Sequence, residues 1–157
     1  MSTFNWFERD IAIGVAGEIA DTTVKNIDSF HVGQTAGLEP ADLVIRDTVE
    51  GTVKKVTANA DATSNFVGVV AHSHKETTTP YYEKGDAAPV MTLGDIFVKA
   101  GTNVTAGDAA GIITSNVTGT TAFMIGNATG TSYVNIAGAT ILKSASAGEL
   151  TVLRLRK

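Results

Sequence analysis

The chain has 157 residues, 43% hydrophobic and only 18% charged, with a formal net charge of −4 and no cysteine. That length supports one domain able to bury roughly 70% of the surface its unfolded form exposes, and the composition is that of an ordered protein, not a disordered one. Disulfide frameworks, thiolate zinc sites and cysteine nucleophiles are excluded, and the lack of a Lys/Arg cluster before the last few residues argues against a nucleic-acid partner. No segment reaches the ~20 apolar residues of a membrane span. The opening MSTFNWFERD lacks the basic and apolar regions of a secretory signal, so synthesis and folding in a cytoplasm are expected.

Phe4, Trp6 and Phe7 fall within four residues at the start of a chain with 6% aromatics. Termini fray unless tied down, and aromatic rings are costly to leave in water and serve well as interface anchors. The rings either pack on the chain's own β core or form an arm that docks on a partner or neighbouring subunit. Residues 11–20, IAIGVAGEIA, read as a buried strand or an extended segment on another surface. The expected division is therefore an N-terminal arm and first strand over residues 1–20 and a β-rich core over residues 21–157.

Residues 21–37 are polar and turn-rich, with a brief helical spacing at Val24, Ile27 and Phe30. After Pro40, Leu43, Val44 and Ile45 mark a strand. Residues 49–57 alternate, with Val49, Gly51, Val53 and Lys55 on one face and Thr52, Lys54 and Val56 on the other. Residues 59–65 read as a loop. The run FVGVVA at 66–71 reads as a buried strand, where Gly68 signals a bulge or a close backbone approach.

Residues 81–114 form the organising stretch. Gly85-Asp86, Gly94-Asp95 and Gly107-Asp108 punctuate apolar pieces at 88–93, 96–100 and 109–113, each strand-length and too short for a typical helix. Glycine tolerates positive φ and aspartate bonds to the backbone just beyond it, so each pair reads as a turn between antiparallel strands. Beyond 114, Thr, Ser, Asn and Gly separate short apolar clusters at 122–125 and 133–136. The chain closes on a strand with Leu153 and Leu155 on one face and Arg154 and Arg156 on the other. The predicted fold is mainly β, a small single-domain barrel or sandwich with an extended N-terminal arm.

Chemistry is sparse. His72 and His74 share a strand face and could share a metal, but spacing fixes no third ligand; His31 and Glu76 are available only in principle, and exposed histidines at a strand end are expected. Asp86, Asp95 and Asp108 are better explained as turn residues than as paired acid–base carboxylates. The nucleophile elbow, phosphate loop, dinucleotide fingerprint and calcium loop are all missing. Asn103, Asn116 and Asn127 begin chance sequons in an Asn/Thr-rich chain. Arg154, Arg156 and Lys157 read as the solvated face of an edge strand. No catalytic, cofactor-binding or metal residue is assigned, and no enzyme is expected. The stretch 98–112, VKAGTNVTAGDAAGI, resembles the second half of lipoyl and biotinyl carrier domains, but Lys84 lacks the flanking residues a carrier lysine needs. That resemblance supports a barrel-like turn geometry and not a carrier.

Three pieces in order resemble the small cement, or decoration, proteins of tailed-phage capsids: Gly14, Gly17, Ile19 and Ala20 near the start; Tyr82, Gly85, Asp86, Val90, Gly94, Ile96 and Val98 in the middle; and Gly138, Leu142, Ala145, Gly148, Glu149, Leu150, Val152 and Leu155 at the end. Residues 21–65 match nothing in that pattern. The resemblance implies a non-enzymatic virion protein, made in the host cytoplasm, without cofactor. It would bind the major capsid protein on the outside of the head lattice near capsomer junctions, often as a trimer, and resist internal DNA pressure. Phe4, Trp6 and Phe7, with Ile11 and Ile13, would then contact the capsid or a sister subunit. The alternative is a sugar- or ligand-binding β module, in which exposed Tyr81, Tyr82 and Tyr133 would stack on sugars.

Overall fold

Strand β5 (Ala87–Lys99) is thirteen residues long and has partners along both edges. The computed structural model describes residues 14–62, 65–73, 80–114, 121–127 and 132–156. Around β5 stand β1 (Ile19–Val32), β2 (Leu43–Arg46), β3 (Thr52–Lys55), β4 (Phe66–Val70), β6 (Ala109–Ile113), β7 (Ile125–Asn127), β8 (Tyr133–Ile141) and β9 (Leu150–Leu155), with one four-residue helix, α1 (Asn59–Ala62). The predicted mainly β architecture is what the chain adopts.

Two rings of strands share β5. In the first, β1 pairs with β3 in parallel, β3 with β2, β2 with β4 and β4 with β5; β5 then pairs back onto β1 from Ile19↔Ile96 to His31↔Ala87. That circuit is the topology of a small barrel. In the second, β5 pairs with β9, β9 with β8, β8 with β6 and β6 with β7, all antiparallel. A parallel bridge between Ala100 and Ile125, with the Gly101 N–H donating to the Ile125 carbonyl at 2.8 Å, returns β7 to the end of β5.

Packing explains why several strands read as unbroken apolar runs. Leu43, Ile45, Val69 and Met91 belong to one core cluster; their chain neighbours Val44, Val70 and Val90 belong to another. Successive strand residues point to opposite faces, so β2, β4 and the first half of β5 are buried on both sides. Full burial of each such side chain contributes roughly 1.5–3 kcal/mol.

Gly68 makes the close approach expected of it: a Cβ there would lie 2.1 Å from the Met91 carbonyl oxygen. The neighbouring register slips by one residue, from Val44↔Gly68 to Ile45↔Phe66.

Several expectations are corrected. Residues 21–32 are strand, not turn or helix, because β5 pairs with β1 at Ile19, Asp21 and Asn26 to His31 and this tertiary pairing overrides the short helical spacing. Alternation over 49–57 collapses to a four-residue strand, because residues 49–52 turn, with the Thr52 N–H donating to the Val49 carbonyl. Part of the 59–65 loop is helix α1.

Gly94-Asp95 is no turn. It lies inside β5, opposite Leu155 and Arg154 of β9. Gly94 has φ +128°, and its missing Cβ would sit 3.1 Å from the Lys25 side chain, where β1 slips register. The glycine is there for close packing across the sheet, not for reversal.

Candidate functional site

One local device starts five of the nine strands. Before β5, the Glu83 N–H donates to Asp86 Oδ2 (3.0 Å), and before β6 the Thr105 N–H donates to Asp108 Oδ2 (3.1 Å), as the turn reading of those aspartates expects. Val15 and Glu18 before β1, Glu39 and Asp42 before β2, and Ser146 and Glu149 before β9 make the same bond at 2.9, 2.8 and 3.1 Å. The residue before each acid is left-handed: Gly17, Ala41, Gly85, Gly107 and Gly148 have φ between +72° and +97°.

Each such residue and the acid after it face a single partner residue. The N–H of Gly85 donates to the Val32 carbonyl while the Val32 N–H donates to the Asp86 carbonyl, and the same two bonds recur at Phe97, Val70, Ile141 and Ala100. Two residues opposite one, the first left-handed, is a bulge that sharpens strand twist. Reading only Gly-Asp pairs misses three of the five. The available signal was a left-handed-tolerant residue followed by either acid, as in VAGE and SAGE.

Charge is handled by pairing. Asp95, 7% exposed, receives two bonds from Arg154, Nε to Oδ1 at 2.8 Å and Nη2 to Oδ2 at 2.7 Å. The Asp95 bonds hold the guanidinium above its ordinary range against the opposing effect of burial, and the charges of Asp95 and Asp21 add to the rise. The predicted solvated edge face is thus wrong for Arg154, because β9 lies between β5 and β8 and is not an edge. Lys54 Nζ meets Asp61 at 2.8 Å and Lys55 Nζ meets Asp42 at 2.6 Å. Burial pushes the Asp61 carboxyl up, but the bonds from Lys54 and Thr57 outweigh it and leave the group below its ordinary value. Its partner Lys54 is raised, chiefly by that same bond.

The remaining sequence candidates separate. Phe4, Trp6, Phe7, Ile11 and Ile13 lie outside the described residues, as do His74, Glu76, Asn116 and Lys157. His72 is exposed, its ring 5.4 Å from that of Tyr81, and His31 is exposed with Nδ1 3.2 Å from the Gly85 carbonyl oxygen. Among the described residues, no three His, Cys, Asp or Glu side chains gather as a metal set would.

Tyr81 and Tyr82 are not exposed stacking platforms. They are 4% and 2% exposed, packed edge-on at 4.9 Å, and their hydroxyls bond to Ser73 and Ala71. A buried ring with a satisfied hydroxyl is core, so the sugar-stacking alternative loses two of its three residues.

A concave feature lies where the rings meet. A groove of about 570 Å³ has Pro40, Leu43 and Val56 on the first-ring side and Val98, Phe123 and Ile125 on the second. Leu43, Val56, Val98 and Ile125 belong to the larger core cluster, so its floor is apolar. Glu39, Asp42, Lys55 and Lys99 also line it, supplying a polar component of both signs. Ala16 lines it too, two residues after the first described position.

Comparison with known proteins places this architecture. No curated protein matches the sequence. The fold is similar to a chain in "The capsid of Myoviridae Phage XM1", at a TM-score of 0.70 and 17% identity, covering 100% of this chain and 99% of that one. It is also similar to a chain in "The crystal structure of head fiber gp8.5 N base in bacteriophage phi29", at a TM-score of 0.52 and 16% identity, covering 83% and 95%. The family profile described as "Structural cement protein (E217 gp24/Pam3 gp6)" matches residues 4–156. The chain belongs to that family, the structural cement proteins of phages, and its role is to stabilise the capsid as part of the virion.

Proposed function

We propose that the protein attaches to the outer surface of the head lattice by contact with the major capsid protein, as a homotrimer, and that its aromatic N-terminal segment makes the main contacts. In this reading Phe4, Trp6 and Phe7, with Ile11 and Ile13, are the anchors to the capsid or to a sister subunit. Residues 1–20 supply the arm and first strand, and the β-rich core over residues 21–157 is the rigid body it tethers. The observation that carries the reading is that the family match begins at residue 4 and so takes in all five anchors. The sheet supports it as well, since residues 14–18 are already pinned at a turn by Phe97 and His72. The role is mechanical, with no reaction and no cofactor.

Co-sedimentation tests the proposal. Purified protein is mixed with mature heads lacking it, the heads are pelleted and bound copies are counted. Saturable binding at a fixed ratio to the major capsid protein is expected, with sedimentation of the free protein as a trimer. Deleting residues 1–10 should abolish attachment and leave the circular-dichroism spectrum of the β core intact. A truncated protein that still coats heads would remove the arm from the mechanism.

A further inference from the structure

We propose that one end of the first ring is a binding site for a neutral, polyhydroxylated ligand, a sugar ring. The site uses neither Tyr81 nor Tyr82, which are core, and does not depend on how the protein attaches to heads.

Alternation along the strands builds it. Val32, Val44 and Val90 belong to the smaller core cluster, with Phe30 and Val67 packed against it. Two-residue steps back from Val32 reach Phe30, Asp28 and Asn26 on the same face of β1, and one step on from Val44 reaches Arg46 at the end of β2. These residues, with Asn65, Phe66 and Thr92, line a cavity of about 690 Å³. That is the size of a small-molecule site, and such sites favour the mouths of β-barrels. The cluster that fills the ring thus ends in polar side chains around a hollow.

The polar groups are sorted by hydrogen-bonding sense. Asn26 Nδ2 donates to Asp28 Oδ2 at 2.8 Å and to Thr92 Oγ1 at 2.9 Å, and the Thr92 hydroxyl lies 3.4 Å from the same carboxylate oxygen. That network uses the Asn26 amide donors and leaves Asp28 Oδ1 and Asn26 Oδ1 as fixed acceptors, bonded to no other described residue. On the β2 and β4 side stand the Arg46 guanidinium and the Asn65 amide, neither in a side-chain hydrogen bond or ion pair with another described residue. Backbone holds these two together, the Arg46 N–H donating to the Asn65 carbonyl at 3.2 Å.

Acceptors on one wall and donors on the other select the ligand. A hydroxyl both donates and accepts, so a ring bearing neighbouring hydroxyls satisfies both walls at once. A carboxylate or phosphate would meet Asp28, and an ammonium would meet Arg46, each a like charge. The half-buried Phe30 and Phe66 add aromatic surface, whose electron-rich face suits the polarised C–H face of a sugar.

Saturation-transfer NMR on the full chain tests the site. The probes are glucose, galactose, mannose and N-acetylglucosamine, each as the free sugar and as its methyl glycoside. Binding of at least one is expected. Asp28→Ala removes the charged acceptor and Arg46→Met the charged donor. Each should weaken that binding roughly ten-fold or more and leave the circular-dichroism spectrum unchanged. Glu50→Gln, at an exposed turn outside the cavity, should bind as the unaltered chain does. No transfer to any probe at millimolar sugar, or transfer that neither variant weakens, would overturn the proposal. So would inorganic phosphate binding in place of every sugar and lost in Arg46→Met, which would make the cavity an anion site. Binding of the methyl glycosides assigns the ligand to a glycan terminus, and binding of free hexoses alone to a soluble sugar; both support the site.

Discussion

The two rings solve the same closure problem with different fasteners. The first ring contains the only parallel pairing between named strands, β1 with β3, and makes it with two residue pairs, His31↔Thr52 and Val32↔Val53. Around that short seam sit the Lys54–Asp61 and Lys55–Asp42 ion pairs and the buried Tyr81 and Tyr82. The second ring is antiparallel throughout its named strands and closes on one bridge, Ala100↔Ile125. Its strongest polar contact, Arg154 to Asp95, is at the strand both rings share. Side chains reinforce the first ring where the ladder is thin, while the second relies on backbone pairing.

The sharpest way to break the comparison is to add one methyl group to each ring. In the first, Gly68→Ala would force a Cβ to 2.1 Å from the Met91 oxygen; in the second, Gly138→Ala would bring one to 1.8 Å from the Arg156 oxygen at φ +74°. Backbone cannot yield as a side-chain tip can, so each should cost about 3 kcal/mol or more in chemical denaturation. Because β5 belongs to both rings, either variant should still unfold in one transition; two separated transitions would show that the rings are independent.

Next in size is the shared clamp. Asp95→Ala leaves the Arg154 guanidinium without its two bonds, and Arg154→Met leaves the Asp95 carboxylate buried and unpaired. Arg154→Met, which strands the 7%-exposed carboxylate, should cost about 1–3 kcal/mol, and Asp95→Ala should cost less because the guanidinium can turn to water. Changing both should cost less than the sum, which a double-mutant cycle measures directly.

Smaller still are the strand-starting acids. Asp86→Ala in the first ring and Asp108→Ala in the second each remove an acceptor from a turn N–H, and about 1 kcal/mol is expected, as for a lost helix cap. Equal losses would mean that the device works alike in both rings. A near-zero loss at either site would mean that the left-handed glycine alone sets the turn.

Smallest is a pH effect confined to the first ring. Asp61 has its folded pKa depressed, so its contribution is present above the unfolded value of roughly 4 and is lost as pH falls through the folded one. Asp61→Asn should therefore flatten the acid limb of the stability–pH curve below about pH 4 and lower the plateau above it. An unchanged acid limb would assign that slope to other carboxylates.

How legible each ring was in the sequence follows from how it is fastened. The LVI and FVGVV runs, the glycine in β4 and the Leu/Arg alternation of β9 announced strands, because local patterning and tertiary burial agree there. The first strand did not. IADTTVKNIDSFHV has Val24 71% exposed and slips register three times against β5, so its partner, rather than its own pattern, makes it β. Gly94-Asp95 was misread for a related reason. A glycine before an aspartate means a turn when the acid bonds to local backbone, as at Asp86, and an in-strand clamp when an arginine stands opposite, 59 residues away in sequence. Nothing local separates the two. The groove was invisible for the same cause, since its walls come from residues 16, 39–43, 55–57, 98–99 and 121–125. The family pieces were legible because they are built of the turn residues that recur at Glu18, Asp86 and Glu149.

The strand common to both rings also sets how the molecule bears load. Its residues Val90 and Met91 lie between β1 and β4, and Asp95 and Ile96 lie between β1 and β9. Tension applied along that strand acts in shear on ladders at both edges, so the rungs share the force and must fail together. Tension across it would peel them one at a time. A protein that stabilises a capsid under load is best pulled along the direction of β5.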